Sequence, residues 1–162
     1  MTRRSLLFAW TLLALAAPAA AQTDSSTLTA DIRSIAKLSL SAASISFPDA
    51  DPDIVPSIPA SGGSLSITAK ARATAASQVV LTVQAANDLR SGLNLIGIAA
   101  ITWTTTGTGF LSGTMSRTVP VAVARWTGSG IRTGTQTLFF KNLWTYPTGT
   151  YTTSLTYTLS AP

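Results

Sequence analysis

Cysteine, histidine and glutamate are all missing from the 162 residues, and only 10% of the residues carry a charge. Without histidine or cysteine, the chain has no imidazole or thiolate for nucleophilic catalysis and no soft ligand for zinc. The carboxylates are six aspartates, three of them in one proline-rich stretch. Paired-carboxylate hydrolysis requires two rigidly placed acids, which such a stretch does not favour. The residue types therefore predict a protein that is not an enzyme.

Basic residues outnumber acidic residues by a small margin. When Arg3 and Arg4 are set aside, nine of the 11 basic residues remain against six aspartates, and the nine are spread along the chain. Nucleic-acid binding requires a basic stripe or patch, and this distribution provides neither. We therefore expect no nucleic-acid partner.

The first 21 residues have the composition of a secretory signal peptide. A positively charged start is followed by an apolar stretch from Leu6 to Ala17 and by the small residues Ala19 to Ala21. A membrane span needs about 20 apolar residues, and this run stops at Pro18. We expect export to the periplasm, the cell surface or the extracellular space. After cleavage, residues 22–162 are expected to form a single domain that does not span a membrane.

Alternation of apolar and polar residues is the dominant pattern after the predicted cleavage site. Ser64–Ala73 and Val79–Ala85 both repeat with period two, which places one set of side chains in a core and the other in solvent. The short link Thr74–Ser77 between them predicts a hairpin. Further candidate strands are Leu28–Ile32, Lys37–Ala42, Ile45–Phe47, Ile96–Trp103, Gly113–Val119, Val121–Arg125, Thr135–Phe140 and Tyr151–Leu159.

Helical periodicity is almost absent from the same region, and turn-forming residues recur throughout it. Short strands separated by glycine- and proline-containing turns predict an all-β fold. We expect an antiparallel two-sheet sandwich of about seven to nine strands with Ig-like or Greek-key connections. An open-ended barrel is the alternative. At Ala99–Ala100 the apolar positions change parity, which predicts a β-bulge.

Three aspartates alternate with other residues in the proline-rich stretch Phe47–Asp53. Asp49, Asp51 and Asp53 can offer several oxygen ligands to one hard cation, so the stretch is a candidate calcium site. It lacks the glycine and the bidentate glutamate of an EF-hand. The other interpretation is a solvated turn that aspartate and proline cap and stiffen. Apart from this calcium, the sequence predicts no cofactor.

Aromatic residues indicate a second kind of site. Trp126 lies at the end of a predicted strand, and Trp144 and Tyr146 lie in the loop after another strand. If these rings are exposed, they form a platform on which sugar rings stack. If they are buried, they belong to the core, where aromatic residues contribute the largest areas. Trp103 follows Ile101 on one face of a strand and is expected in the core.

The last strand carries a resemblance to known proteins. The chain reads Gly-Thr-Tyr from Gly149 and continues with apolar residues at alternate positions up to Leu159. This end resembles the terminal strand of chaperone-usher pilins and of spore-coat-U-type secreted proteins, which end in Gly-x-Tyr followed by alternating apolar residues. Ala161 stands where pilins have an aromatic residue, and the cysteine pair of pilins is missing. The resemblance implies a sandwich that assembles by addition of a strand.

A broader resemblance involves other stretches of the chain. Four stretches together resemble a family of small bacterial secreted proteins. They are Ile45–Pro59, Ile101–Trp103, Gly128–Gly130 and Tyr146–Tyr151. That similarity implies export and a β-sandwich, and it implies no particular activity.

The leading functional hypothesis is an exported, non-catalytic structural or surface-interaction module, pilin-like or matrix-associated. Its partners would be other exported or surface proteins, which add a strand to an exposed sheet edge. The alternative is a carbohydrate-binding module, in which the aromatic platform holds a polysaccharide and the calcium loop is structural.

Overall fold

The computed structural model describes residues 25–162 of the chain. The predicted signal peptide, residues 1–21, lies outside the described residues. The chain divides into two units, residues 1–31 and residues 32–162. Of the first unit, residues 25–31 are described, and they are exposed and belong to no helix or strand. In the part of the chain that the structure describes, no helix has the length and apolar character needed to cross a bilayer.

The second unit is built from short strands and one 3₁₀ turn, Ile98–Ala100. The strands of the described residues are β1 Ile35–Leu40, β2 Ser57–Pro59, β3 Leu65–Arg72, β4 Gln78–Ala85, β5 Leu89–Ser91, β6 Asn94–Ile96, β7 Ile101–Thr106, β8 Gly113–Thr114, β9 Val121–Thr127, β10 Gly130–Lys141 and β11 Leu155–Ser160.

Two antiparallel sheets face each other around the core. The larger sheet has the order β1-β3-β10-β7-β8, with β2 also paired to β10. The second sheet has the order β11-β4-β9, and β5 and β6 form a separate hairpin. Every pairing of these strands is antiparallel. The predicted all-β, antiparallel sandwich is confirmed. The described residues form 11 strands and not the predicted seven to nine, because four of the strands have only two or three residues.

The core follows directly from the alternation in the sequence. In β3, the residues at every second position from Leu65 to Ala71 are buried, and β4 buries its alternate residues from Val79 to Ala85 in the same way. These strands lie in different sheets, so their apolar faces meet between the layers. The largest fully buried apolar side chains are Trp103, Ile67, Leu81, Met115 and Leu138.

The predicted hairpin between β3 and β4 is wrong. Thr74–Ser77 does form a turn, closed by a hydrogen bond from the Ser77 amide to the Thr74 carbonyl. This turn carries the chain from the larger sheet to the second sheet instead of joining two neighbours in one sheet. A strand buries alternate residues in either arrangement, so the period-two pattern does not distinguish a hairpin from a connection between layers.

Other strand predictions also need correction. Leu28–Ile32 and Ile45–Phe47 are not strands, and Gly113–Val119 is reduced to the two residues of β8. The predicted strand Ile96–Trp103 is interrupted by the 3₁₀ turn rather than by a β-bulge. In that turn, the Asp88 carboxylate accepts a hydrogen bond from the Ile98 amide at 2.9 Å.

The two sides of the sandwich differ. On one side, the loop between β7 and β8 bridges the sheets, because the Leu111 amide donates to the Val123 carbonyl and the Arg125 amide donates to the Gly109 carbonyl, both at 2.8 Å. On the other side, β1 and β11 are the edge strands of their sheets. These two strands lie beside each other without pairing. The sandwich is therefore open along the edge formed by β1 and β11.

Candidate functional site: a groove between two sheet edges

An open groove of about 850 Å³ lies at the edge of the sandwich where β1 ends and β11 begins. We call it the edge groove. One wall is residues 42–48, which follow β1, and the other wall is residues 149–154, which precede β11. The floor is apolar and includes Leu65, Ile98 and Leu138 from the core.

The wall formed by residues 42–48 makes almost no hydrogen bonds through its backbone. Among the described residues, its single backbone hydrogen bond is the one that the Ser46 carbonyl accepts from the Ser61 amide at 2.8 Å. Backbone groups near an apolar surface are stabilised when they gain a partner. This wall therefore has free donors and acceptors with which an extended segment could pair.

The opposite wall is held from its outer side. The Thr152 amide and carbonyl both bond to Arg90 in β5, at 3.0 and 3.1 Å. The Ser154 carbonyl accepts a hydrogen bond from the Ala86 amide at 2.9 Å. Since both bonded residues are second neighbours along the chain, they use one edge of this segment. The segment is thus fixed in an extended conformation alongside the groove.

Aromatic rings line the groove beside the first wall. The ring centroids of Phe47 and Phe140 are 5.9 Å apart, and those of Phe140 and Tyr146 are 5.7 Å apart. Phe47 and Phe140 both line the groove. Partial burial raises the pKa of the Tyr146 hydroxyl above 10.0. This row of rings extends the apolar surface of the groove toward Tyr146.

One polar contact joins the two sheets next to the groove. The hydroxyl of Tyr157, in β11, donates a hydrogen bond of 2.7 Å to the amide oxygen of Gln136, in β10. Gln136 is completely buried, and its Nε2 has no hydrogen-bond partner among the described residues. Burial raises the pKa of Tyr157 from 10.0 to about 12. Tyr157 lines the groove, so this hydrogen bond ties the two sheets together beside the groove.

We expect Tyr157→Phe to lower the free energy of unfolding by about 1 to 3 kcal/mol, because it leaves the buried Gln136 oxygen without a donor. Chemical denaturation at pH 8 measures the loss. The double variant Tyr157→Phe with Gln136→Met removes both polar partners and should recover most of it. A double variant no more stable than Tyr157→Phe would mean that the hydrogen bond is not the cause.

The wild type and Tyr157→Phe also allow an independent test, in which stability is measured as a function of pH. The folded-state pKa of Tyr157, about 12, lies above the ordinary value of 10.0. Its contribution to stability is therefore complete below pH 10 and is lost as the pH rises toward 12. Wild type should lose more stability than Tyr157→Phe across this interval. Equal losses would show that Tyr157 titrates alike in the folded and unfolded chains.

The structure places two of the three predicted calcium ligands, Asp51 and Asp53, in a capped turn. The Asp51 carboxylate accepts a hydrogen bond of 2.9 Å from the Asp53 amide, and the Asp53 carboxylate accepts one of 3.0 Å from the indole nitrogen of Trp144. Asp49 is exposed. Within residues 25–162, no three His, Cys, Asp or Glu side chains are grouped as metal ligands. This geometry matches the solvated-turn interpretation and gives the calcium interpretation no support.

The three predicted sugar-binding aromatics are not equivalent in the structure. Trp126 is only 7% exposed and belongs to the core, with the guanidinium of Arg132 lying 5.8 Å from its ring centroid. Trp144 is 69% exposed, and Tyr146 is half-buried against Phe140. Trp126 therefore cannot offer a ring face to a sugar alongside Trp144. Trp103 lies in the core, as predicted.

Two features of the site were not predicted from the sequence. The first is the groove, because its walls come from residues 42–48 and 149–154, which are distant in sequence and belong to no strand. The second is Gln136, which stands among threonines in β10 and has the polarity of an outward-facing residue. Its position between Thr135 and Thr137 was the available signal, since strict alternation turns it to the face opposite theirs.

Comparison with known proteins found no match: no protein-family model, no curated protein and no solved structure is significantly similar to this chain.

Proposed function

We propose that the protein is an exported, non-catalytic structural module that assembles by binding an extended segment of another polypeptide in the edge groove. The groove is the observation that carries the proposal, because it combines an apolar floor with a wall, residues 42–48, whose backbone is almost unpaired within the described residues. An added strand gains main-chain hydrogen bonds and places alternate side chains in pockets. Here the unpaired backbone of residues 42–48 could make those hydrogen bonds, and the apolar floor could receive the side chains.

The chain itself contains a segment with the required pattern. We call residues 27–33, Thr-Leu-Thr-Ala-Asp-Ile-Arg, the N-terminal segment. Leu28, Ala30 and Ile32 alternate with polar residues, and Leu28 is 97% and Ile32 69% exposed. Large apolar side chains that repeat with period two and face water are typical of a strand that binds elsewhere. A second copy of the chain is therefore the partner that we propose.

The dimensions and the chain direction support a second copy. The N-terminal segment and the wall of residues 42–48 each have seven residues, and seven residues span about 23 Å when fully extended. The segment precedes β1, whereas the wall follows β1. The eight residues 34–41, which include β1, therefore separate them, and eight residues of fully extended chain span about 26 Å. Each copy thus carries the segment before β1 in sequence and a wall of the groove after it.

Assembly of this kind is consistent with the composition and with the resemblance of the last strand to pilins and spore-coat-U-type proteins. The chain has no histidine or cysteine. The Asp51 carboxylate accepts a hydrogen bond from the Asp53 amide, and the Asp53 carboxylate accepts one from the Trp144 indole. These residue types are the reason why we propose a structural module and not a catalytic one. The strand edges at β1 and β11 supply the contact that such a module needs.

We expect the exported wild-type protein to self-associate and the double variant Leu28→Asp with Ile32→Asp to remain monomeric at the same concentration. The change places two carboxylates against an apolar floor, which costs several kcal/mol and amounts to at least a hundredfold loss of affinity. Sedimentation velocity measures the association. The matched control is Thr27→Asp with Thr29→Asp, which adds the same charge to the opposite face of the segment and should still associate.

Cross-linking locates the contact, because the chain has no cysteine of its own. A protein with Ala30→Cys, mixed with a tagged protein with Ser46→Cys and mildly oxidised, should give a disulfide-linked mixed dimer. Replacing the second protein by one with Thr104→Cys, on the exposed face of β7, should give none. A wild type that stays monomeric, together with no disulfide between the Ala30→Cys and Ser46→Cys proteins, would overturn the proposal.

A further inference from the structure

Trp144 is an exposed tryptophan whose ring is held in place. It is 69% exposed, and its indole nitrogen donates a hydrogen bond of 3.0 Å to Oδ1 of Asp53. Its neighbour Leu143 is 37% exposed, and Ile54, next to Asp53, is 77% exposed. The hydrogen bond restricts the orientation of the indole ring while the ring stays in contact with water. An aromatic face that is already held in one orientation loses less entropy when a ligand binds to it.

The loop that carries Asp53 is tied to the segment that carries Trp144. The Asn142 side chain donates hydrogen bonds to the carbonyls of Ala50, at 2.9 Å, and Val55, at 3.2 Å. The Asn142 amide donates to the Pro56 carbonyl at 2.9 Å. Within the loop, the Val55 amide donates to the Asp51 carbonyl at 2.8 Å. These bonds fix the relative position of the carboxylate and the indole ring.

We propose that Trp144 and Asp53 form a binding site for a pyranose ring of a neutral polysaccharide. The C–H face of such a ring is apolar, and it buries area against an aromatic face. Its hydroxyl groups need hydrogen-bond acceptors. One oxygen of Asp53 holds the indole nitrogen, and the other, Oδ2, makes no hydrogen bond or ion pair with a described residue. That oxygen is free to accept a bond from a sugar hydroxyl.

The chemistry also selects among glycans. An uncompensated carboxylate beside the stacking face repels the carboxylates of anionic polysaccharides and does not repel neutral ones. The site needs no metal ion and does not use Trp126. It does not depend on the proposed assembly, because Trp144 and Asp53 lie outside both the N-terminal segment and the two groove walls. Self-association and glycan binding can therefore fail or succeed separately.

The test is affinity electrophoresis of the exported protein in native gels containing a single polysaccharide. The neutral probes are laminarin, hydroxyethylcellulose, xylan and glycogen, and alginate is the anionic probe. At least one neutral probe should retard the wild type. Alginate is attracted by the net positive charge of the chain, so any retardation by alginate should be the same for the wild type and for Trp144→Ala. Trp144→Ala should weaken the retardation at least tenfold, whereas Trp144→Phe should retain part of it because a stacking face remains. Asp53→Asn should weaken binding less than Trp144→Ala, because it keeps an oxygen for the indole.

Leu93→Ala is the matched control, because Leu93 is 94% exposed and belongs to the turn between β5 and β6. It should leave retardation unchanged. Fluorescence in a Trp10→Phe background provides a second readout. Trp103 and Trp126 are 2% and 7% exposed, so iodide quenching reports on Trp144, and a bound glycan should reduce it. The inference is overturned if no neutral probe retards the wild type, or if Trp144→Ala binds as the wild type does.

Discussion

Trp103→Ala is expected to lower the free energy of unfolding by about 3 to 5 kcal/mol. Trp103 is 2% exposed, and its indole nitrogen donates to the Leu111 carbonyl at 2.9 Å. The substitution removes a buried indole ring, opens a cavity and leaves a carbonyl oxygen without its donor. A domain of this size is stable by about 5 to 15 kcal/mol in total. The loss should therefore shift the denaturation midpoint strongly.

The matched control is Trp144→Ala, which makes the same chemical change at a site that is 69% exposed. It removes the exposed hydrogen bond to Asp53 and should cost about 1 kcal/mol, well below the effect expected in the core. Guanidinium denaturation of both variants and of the wild type, followed by circular dichroism, measures the two effects side by side. Similar midpoints for the two variants would contradict the core position of Trp103.

Gly134→Ala is expected to destabilise the protein by about 3 kcal/mol, at the upper end of what overpacking costs. Gly134 lies in β10, at the centre of the larger sheet. A methyl group there would collide with the Thr106 carbonyl oxygen and lie 2.7 Å from two ring carbons of Phe110. The carbonyl belongs to the backbone of the neighbouring β7 and cannot move independently. The pairing of β7 with β10 must therefore distort.

Gly97→Ala makes the same change where nothing lies within 4 Å of the new methyl group. The φ angle there is −56°, which alanine adopts without strain. We expect a gain of about 0.4 to 1 kcal/mol, because alanine restricts the unfolded chain. Thermal denaturation of both variants measures the contrast. If Gly134→Ala is as stable as Gly97→Ala, the close approach of Phe110 to β10 is wrong.

The fold class was predictable because burial in a two-layer sandwich leaves a direct trace in the sequence. β3 and β4 alternate apolar and polar residues, and the structure buries the expected halves. The alternation does not indicate which strands pair with each other. Thr74–Ser77 is compatible both with a hairpin and with a connection between layers. The outcome depends on β10 and β11, which pair with β3 and β4 from distant parts of the chain.

The candidate sites were predictable only in part, for related physical reasons. The turn chemistry of Asp51 and Asp53 is local, and the sequence allowed that interpretation from neighbouring residues alone. The burial of Trp126 depends on residues far away in sequence, so position at a strand end could not decide it. The groove is a property of two sheet edges and of what lies between them. No pattern among neighbouring residues in the sequence predicts such a groove.

The edge groove is made from an early part and a late part of the chain. A ribosome or an export channel releases the amino terminus first, so residues 42–48 emerge long before residues 149–154 and the strand that follows them. β3 pairs with β10, and β4 pairs with β11, so both pairings need strands that are synthesised later. Pairings between such distant segments form slowly. The second wall of the groove is completed only when the end of the chain has emerged. A chain interrupted during synthesis therefore has no finished groove, and under the proposed function only complete copies would accept a partner.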